Sequence, residues 1–260
     1  MQGILEKNLE RAGTLASFAI LLVFWQLCAM RMGAAYLPSP VTVLQKAVIM
    51  FRESIGGNSM FAHIGYSLRR VLAAYLLAGV LGIPLGIAMG WNTTVHKIVN
   101  PVFELLRPIP PLAWIPLAIL WLGIGEGPKI FICFVGAFVV FVLNAYTGMR
   151  YTERLLIDAA RTFGATRNQQ LFNVAIPASL PSVFAGVQNA MSMAWMCVVA
   201  AELVGAREGV GFIIIQGGDL GDVPMIIVGM VTIGLIGFFL AVSLRLLERM
   251  LCPWRRDLNQ

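Results

Sequence analysis

The sequence predicts an all-α, polytopic membrane protein with six transmembrane helices, and three observations carry that expectation. Only 12% of the 260 residues are charged while 58% are hydrophobic, with a mean hydropathy of +0.81. Soluble domains carry about 25% charged residues, so the chain has too little charge to wet the surface of a globule. Disorder fails on the same composition, because disordered chains are poor in hydrophobic residues. The second observation is a recurrence of uncharged runs near the roughly 20 residues that a spanning helix consumes. The third is length: six spans with short connections fit, twelve do not, and little remains for a soluble catalytic domain.

Ala12 to Met30 is uncharged and follows Glu6, Lys7, Glu10 and Arg11. It exceeds the 7 to 15 residues of a signal-peptide core and reads as an uncleaved first span. The further spans are Val71 to Gly90, Ile109 to Gly125, Ile130 to Met149, Val183 to Gly205 and Val223 to Leu244. Between the first two, Pro38-Ser39-Pro40 breaks the chain, and Val41, Leu44, Val48 and Phe51 then recur at helical spacing. That segment is either an interfacial helix on the outer face or a helix packed on the bundle. Gly82, Gly86 and Gly90 form two overlapping G-x-x-x-G units, a smooth face for a neighbouring backbone. Pro108, Pro110, Pro111 and Pro116 open the third span and free backbone carbonyls, which requires burial in protein or a wet cavity.

Lys and Arg placement orients the chain. With the N-terminus inside, the cytoplasmic side holds Lys7, Arg11, Lys97, Arg107, Arg150, Arg154, Arg161, Arg167, Arg245, Arg249, Arg255 and Arg256. The outer side holds the smaller set, Arg31, Lys46, Arg52, Arg69, Arg70, Lys129 and Arg207. Both termini are therefore expected in the cytoplasm, with Arg69 and Arg70 snorkelling at a helix end. The net charge of +6 reflects this topology rather than nucleic-acid binding. The organisation expected is residues 1–62 with the first span and the outer helix, 63–250 as the main membrane domain, and 251–260 as a cytoplasmic tail.

The segment from Arg150 to Ser182 is the long polar connection of the second half, and it falls on the cytoplasmic side. Thr152 is positioned to cap a helix containing Leu155, Leu156, Ala159, Ala160 and Phe163. Asp158 can pair with Arg154 or Arg161, and Gly164 ends the helix as a left-handed cap. Thr166-Arg167-Asn168-Gln169 reads as a capping box opening a second helix that Pro177 stops. Two short, angled helices suit docking into a groove on a soluble partner.

Here the sequence resembles a known family. Asp158-Ala159-Ala160, Gly164, Ile176-Pro177 and Leu180-Pro181 resemble the E-A-A loop of membrane subunits of type I ATP-binding-cassette importers, with Asp158 in place of Glu. The stretch from Pro101 through Arg107-Pro108-Ile109-Pro110-Pro111 to Pro116 is similar to the nitrate, sulfonate and taurine branch. So are Ala200-Ala201-Glu202-Leu203-Val204-Gly205, Leu37-Pro38-Ser39-Pro40 and Gly209-Val210-Gly211-Phe212. The resemblance implies a MetI-like permease fold and a half-transporter in the bacterial inner membrane. Two copies would form the path, two separate ATPase subunits would carry ATP and Mg, and an external binding protein would deliver a small anion. It places Asp158, Ala159, Ala160, Arg161, Gly164, Ala165 and Thr166 in the ATPase-coupling element. The sequence contains no G-x-x-x-x-G-K-[ST] phosphate loop, so a motor, if ATP is used, is another chain.

Candidate path residues are Glu104, Trp114, Asn144, Gln188, Ser192, Trp195 and Glu202. Glu202 is either a gate or half of an ion pair, and Glu104 pairs with Arg107 or faces the path. Gln188, Ser192 and Trp195 share a helix face, which serves a polar path or interhelical hydrogen bonds equally well. His63 is expected at the outer surface. The four cysteines are scattered and Met191, Met193 and Met196 stand without His or Cys, so no metal site and no cofactor is expected on this chain. No catalytic constellation is present, leaving an ion-gradient transporter as the alternative class, with Glu202 alone in its support.

Overall fold

The computed structural model describes residues 2–33 and 35–251. Within the expected tail, residues 252–260, with Cys252, Arg255 and Arg256, lie outside the described residues. The chain forms α1 (Gln2–Met32), α2 (Pro40–Arg52), α3 (Met60–Trp91), α4 (Thr93–Leu106), α5 (Ile115–Leu122) and α6 (Glu126–Arg150). These are followed by α7 (Arg154–Thr162), α8 (Arg167–Gln170), α9 (Ile176–Glu202), α10 (Val210–Asp219) and α11 (Val223–Leu251). Four helical segments are long and apolar enough to cross a membrane: α3, α6, the run Arg167–Glu202 and α11. The α4/α5 pair makes a fifth crossing if counted as one broken span, and α1 is apolar over Ala16–Met32.

Helices α3, α6 and α9 make the core, and small residues set how closely they approach. A methyl group at Gly86 would stand 2.5 Å from the Val142 carbonyl oxygen and 2.9 Å from the Tyr146 nitrogen. Backbone therefore lies on backbone between α3 and α6, as the G-x-x-x-G spacing predicts. The α6–α9 contact is built the same way: Gly148 faces Ser182 and Gly186 faces Asn144, at 2.7 and 2.5 Å from an added methyl. Ala74, Ala78, Ala137, Phe141, Ala190 and Ala194 fill the space between. Leu76, Val80, Leu120, Phe238 and Phe239 remain exposed on the outer surface, where lipid tails are the matching solvent.

Several local expectations are corrected. The expected third span, Ile109 to Gly125, holds only a 3-10 turn over Pro111–Trp114 and the short α5, and it meets α4 at 83°, because Pro108, Pro110 and Pro111 cannot continue a hydrogen-bonded ladder. Pro177 does not stop the second loop helix. A π turn over Leu171–Ala175 joins α8 to α9, and the wider turn absorbs the missing proline N–H, so Arg167–Glu202 is one helical run of 36 residues. Thr152 does not cap α7; its hydroxyl donates to the Gly148 carbonyl at 3.0 Å and closes the end of α6 instead.

Helix α2 shows both expected features on different faces. Val43 and Met50 pack with Ile213, Met225 and Val228, Lys46 pairs with Asp222, and Ser39 caps the helix at Thr42 N. The periodic set Val41, Leu44, Val48 and Phe51 is the exposed face. Replacing Gly86 by Val is expected to force α3 from α6, since the obstructing atoms are main chain and cannot rotate away. Size-exclusion profiles and thermal unfolding of the detergent-purified protein should show a destabilised or unassembled product, with Gly13→Val, where no atom lies near, behaving as wild type.

Candidate functional site

The polar loop between α6 and α9 is organised around one corner. The N–H of Gly164 donates to the Arg161 carbonyl at 2.9 Å and that of Ala165 to the Ala160 carbonyl at 3.0 Å. Gly164 has φ +83°, so this is a complete left-handed helix termination that a side chain at position 164 would strain. The capping box closes the other side, with Thr166 N donating to Gln169 Oε1 at 2.8 Å and Gln169 N to Thr166 Oγ1 at 3.4 Å. Gln170 is buried and donates to the Ala165 carbonyl at 2.7 Å. Every bond at the corner is local, so its angle is set by the loop itself.

Helix α7 exposes Leu155 at 75%, and Phe163 just after it is 91% exposed. Asp158 and Arg161 lie 3.9 Å apart on that surface, one of the two pairings that the spacing left open. The structure thus brings Asp158, Ala159, Ala160, Arg161, Gly164, Ala165 and Thr166 into one projecting element. The continuous helix that starts at Arg167 carries this element directly into the membrane domain, which sequence reading missed because Pro177 suggests a stop.

At the opposite end of the bundle lies a buried polar cluster. Arg70 is 1% exposed and does not snorkel. Its Nη1 donates to Glu202 Oε1 at 2.6 Å and to the Glu208 carbonyl at 2.8 Å, while Nη2 and Nε engage Glu126, the former at 2.7 Å. Glu126 also takes Lys129 at 2.9 Å. Glu202, fully buried, accepts Ser67 Oγ at 2.7 Å and the Gly211 N–H at 2.9 Å. Ser67 accepts in turn from Val210 N at 2.9 Å.

His63 is buried as well, not a surface residue. Its Nδ1 accepts from Gly209 N at 3.1 Å, so the ring proton sits on Nε2 and donates to the Ile55 carbonyl at 2.9 Å. Glu202 therefore does not line an open path; it ties α3, α6 and α9 together and caps α10, which has no side-chain cap of its own. His63, Ser67 and Arg70 were missed as a site, although their i, i+4, i+7 spacing at the head of an apolar helix was a readable signal.

The remaining path candidates separate. Gln188, Ser192 and Trp195 line a cleft of about 320 Å³ between α9 and α11. Asn144 is elsewhere, donating to the Val140 carbonyl at 2.9 Å and packed under Gly186. Trp114 Nε1 is buried without a partner among the described residues, and Glu104 pairs with Arg107 at 3.1 Å on an exposed surface.

The family model for the binding-protein-dependent transport system inner membrane component matches residues 82–257. The chain belongs to that family. It is 36% identical to the taurine transport system permease protein of Escherichia coli, over 95% of this chain and 90% of that one. It is 31% identical to the nitrate import permease protein of Synechocystis, over 91% of this chain and 88% of that one. Its fold matches an inward-facing MetNI methionine ABC transporter structure with TM-score 0.62 at 22% identity, covering 71% of this chain and 92% of that one.

The protein is thus a multi-pass inner-membrane permease of a binding-protein-dependent ATP-binding-cassette importer. It is the permease component, not a catalytic one, and its partners are of the ATPase and binding-protein kind. The ion-gradient alternative is not favoured. Arg70→Ala in this permease leaves Glu202 charged, buried and short of its cation, a defect that costs about 3–5 kcal/mol. Thermal unfolding of the purified variant should show that loss, and Glu202→Gln, which keeps a hydrogen-bonding group in place, should cost less.

Proposed function

We propose that this permease moves a small anion of the taurine, sulfonate or nitrate type into the cell, driven by ATP hydrolysis on two separate ATPase subunits. The names of its relatives support the solute class, one being a taurine and another a nitrate permease. In this reading two copies of the chain pair as a homodimer, an external binding protein delivers the solute, and ATP with Mg is held on the ATPase chains. Both termini and the Gly164 corner face the cytoplasm. The Lys and Arg bias supports this orientation.

The observation that carries the coupling role is the exposed apolar face of α7, fixed to a helical run of 36 residues. At about 1.5 Å per residue, that run reaches on the order of 50 Å from the corner to Glu202. Closure of an ATPase dimer beneath α7 would displace the corner as a rigid body, and the displacement would pass to the membrane domain without a hinge at Pro177. Rocking of this kind moves a transporter between two packed states. The cleft between α9 and α11 supplies the polar surface expected of a path, because Ser192 and Asn189 are exposed partway along an apolar span where lipid offers polar groups no partner.

Gly164→Val tests the assignment. The left-handed backbone at 164 disfavours a β-branched residue, so the corner should lose its angle while the spans still insert. Uptake of the radiolabelled solute is expected to fall by at least tenfold in cells with normal permease levels in the membrane. Wild-type uptake by Gly164→Val would remove the corner from the coupling mechanism.

A further inference from the structure

We propose that His63 is the trigger of an acid-operated latch, which holds the connection between α9 and α10 against α3 while its imidazole is neutral and releases it when the ring takes a second proton. The latch is a zipper of three bonds. His63, Ser67 and Arg70, one turn apart on α3, each hold a main-chain group of consecutive residues in that connection. Arg70 Nη1 donates to the Glu208 carbonyl at 2.8 Å, His63 Nδ1 accepts from Gly209 N at 3.1 Å, and Ser67 Oγ accepts from Val210 N at 2.9 Å. The latch does not depend on the solute. The side of the membrane whose pH it answers to rests on the orientation proposed above, by which it is the outer one.

Of the three bonds, one is conditional on pH. An arginine stays protonated and a serine hydroxyl stays neutral under physiological conditions, whereas imidazole changes charge between about pH 5 and 8. His63 has no acceptor to spare. Its Nε2 carries the proton given to the Ile55 carbonyl at 2.9 Å, so Nδ1 is the single acceptor of the ring, and a proton there faces the Gly209 N–H donor to donor. Turning the ring over gives no escape, since both nitrogens of an imidazolium are donors. The ring is fully buried and stacks on Phe212 of α10, with centroids 5.7 Å apart. Its protonation and the departure of the loop therefore go together. The closed arrangement holds the neutral ring and the open one, wetted by solvent, binds one proton more, so acid favours opening.

The charged groups around the ring do not offset this. On the elements packed about it they are Glu202 at the end of α9, Arg207 and Glu208 in the connection, Arg52 and Glu53 ahead of Ile55, and Arg69 and Arg70 on α3 itself; α10 has no charge before Asp219. Arg52, Glu53, Arg69 and Arg207 are exposed to solvent. Glu208 meets the cluster through its carbonyl, and Arg70 is shared between Glu202 and Glu126. Both oxygens of Glu202 are engaged, by Arg70, Ser67 and the Gly211 N–H. Glu202 can take an Nδ1–H only by giving up one of these, which itself loosens the clasp. Release of Gly209 also draws the Glu208 carbonyl from Arg70 and Val210 from Ser67, because the three residues are consecutive.

The chain has two histidines, so the latch can be read by nitrogen NMR of histidine-labelled permease in nanodiscs. Hydrogen exchange of residues 203–211, corrected for the intrinsic effect of pH, is followed in the same samples. His63→Gln, or His96→Gln if the former does not assemble, separates the two imidazole signals. At pH 7.5 His63 is expected as the Nε2–H tautomer, with the segment protected. Between pH 7 and 5 it should become imidazolium while exchange in the segment rises at least tenfold. That rise should be absent in His63→Gln, whose amide donates and accepts but does not titrate. An Nδ1–H tautomer at pH 7.5, a ring still neutral at pH 5, an imidazolium formed with the segment still protected, or the same rise in His63→Gln would each overturn the latch. The first three outcomes are read on the native His63, so they decide the matter whether or not His63→Gln folds. Nanodiscs open both faces to the buffer and hold no solute, so failure of the latch leaves the importer reading and its orientation untouched, and failure of those leaves the latch.

Discussion

One buried carboxylate, that of Glu202, holds the far end of this permease together. It sits at the last residue of α9 and receives a guanidinium from α3, a hydroxyl from α3 and a backbone N–H from α10. Arg70 in turn reaches Glu126 at the head of α6 and the carbonyl of Glu208. A charge without water needs a full set of partners, so the geometry of four helices at this end follows from satisfying one acid and one base. Gly209, at φ +114° against the Glu202 carboxylate, is the backbone counterpart of the same requirement.

That cluster and the Gly164 corner are the two ends of one element. The π turn carries α8 past Pro177 into α9, so the corner and Glu202 are joined by one continuous helical run. The glycine contacts between α3 and α6 and between α6 and α9 bring these helices close, with main-chain atoms of one against Gly86 and Gly148 of the other. Interfaces packed on backbone shift as units rather than deform. The broken α4/α5 segment and the lightly packed α1 lie outside this unit, which is where proline content and the exposed apolar surface of α1 also place them.

Much of the candidate site was readable from residue types and spacing, since the devices concerned are local. The Gly164 termination and the Thr166–Gln169 box depend on residues within six positions of one another, and both form as their sequences require. The Gly82–Gly86–Gly90 stripe was readable for a similar reason: it declares a close approach without naming the partner. Thr152 and Pro177 misled because each has two local solutions. A threonine after a helix can cap the next helix or close the last one, and a proline can end a helix or sit in it when a wider turn precedes it.

By itself the sequence determined that the chain lies in a membrane, roughly where its spans fall, that a capped corner projects between the fourth and fifth, and that the family is that of importer permeases. Only the tertiary structure decided which charges are buried together, that His63 and Arg70 face inward, that Glu202 is a clasp and not an open gate, and that Gln188, Ser192 and Trp195 line one cleft. The division has a physical cause. Composition, caps and turns are settled by neighbours within a few residues, whereas the partner of a buried charge is chosen by three-dimensional proximity, as when Arg70 and Glu202 meet across 132 positions of chain.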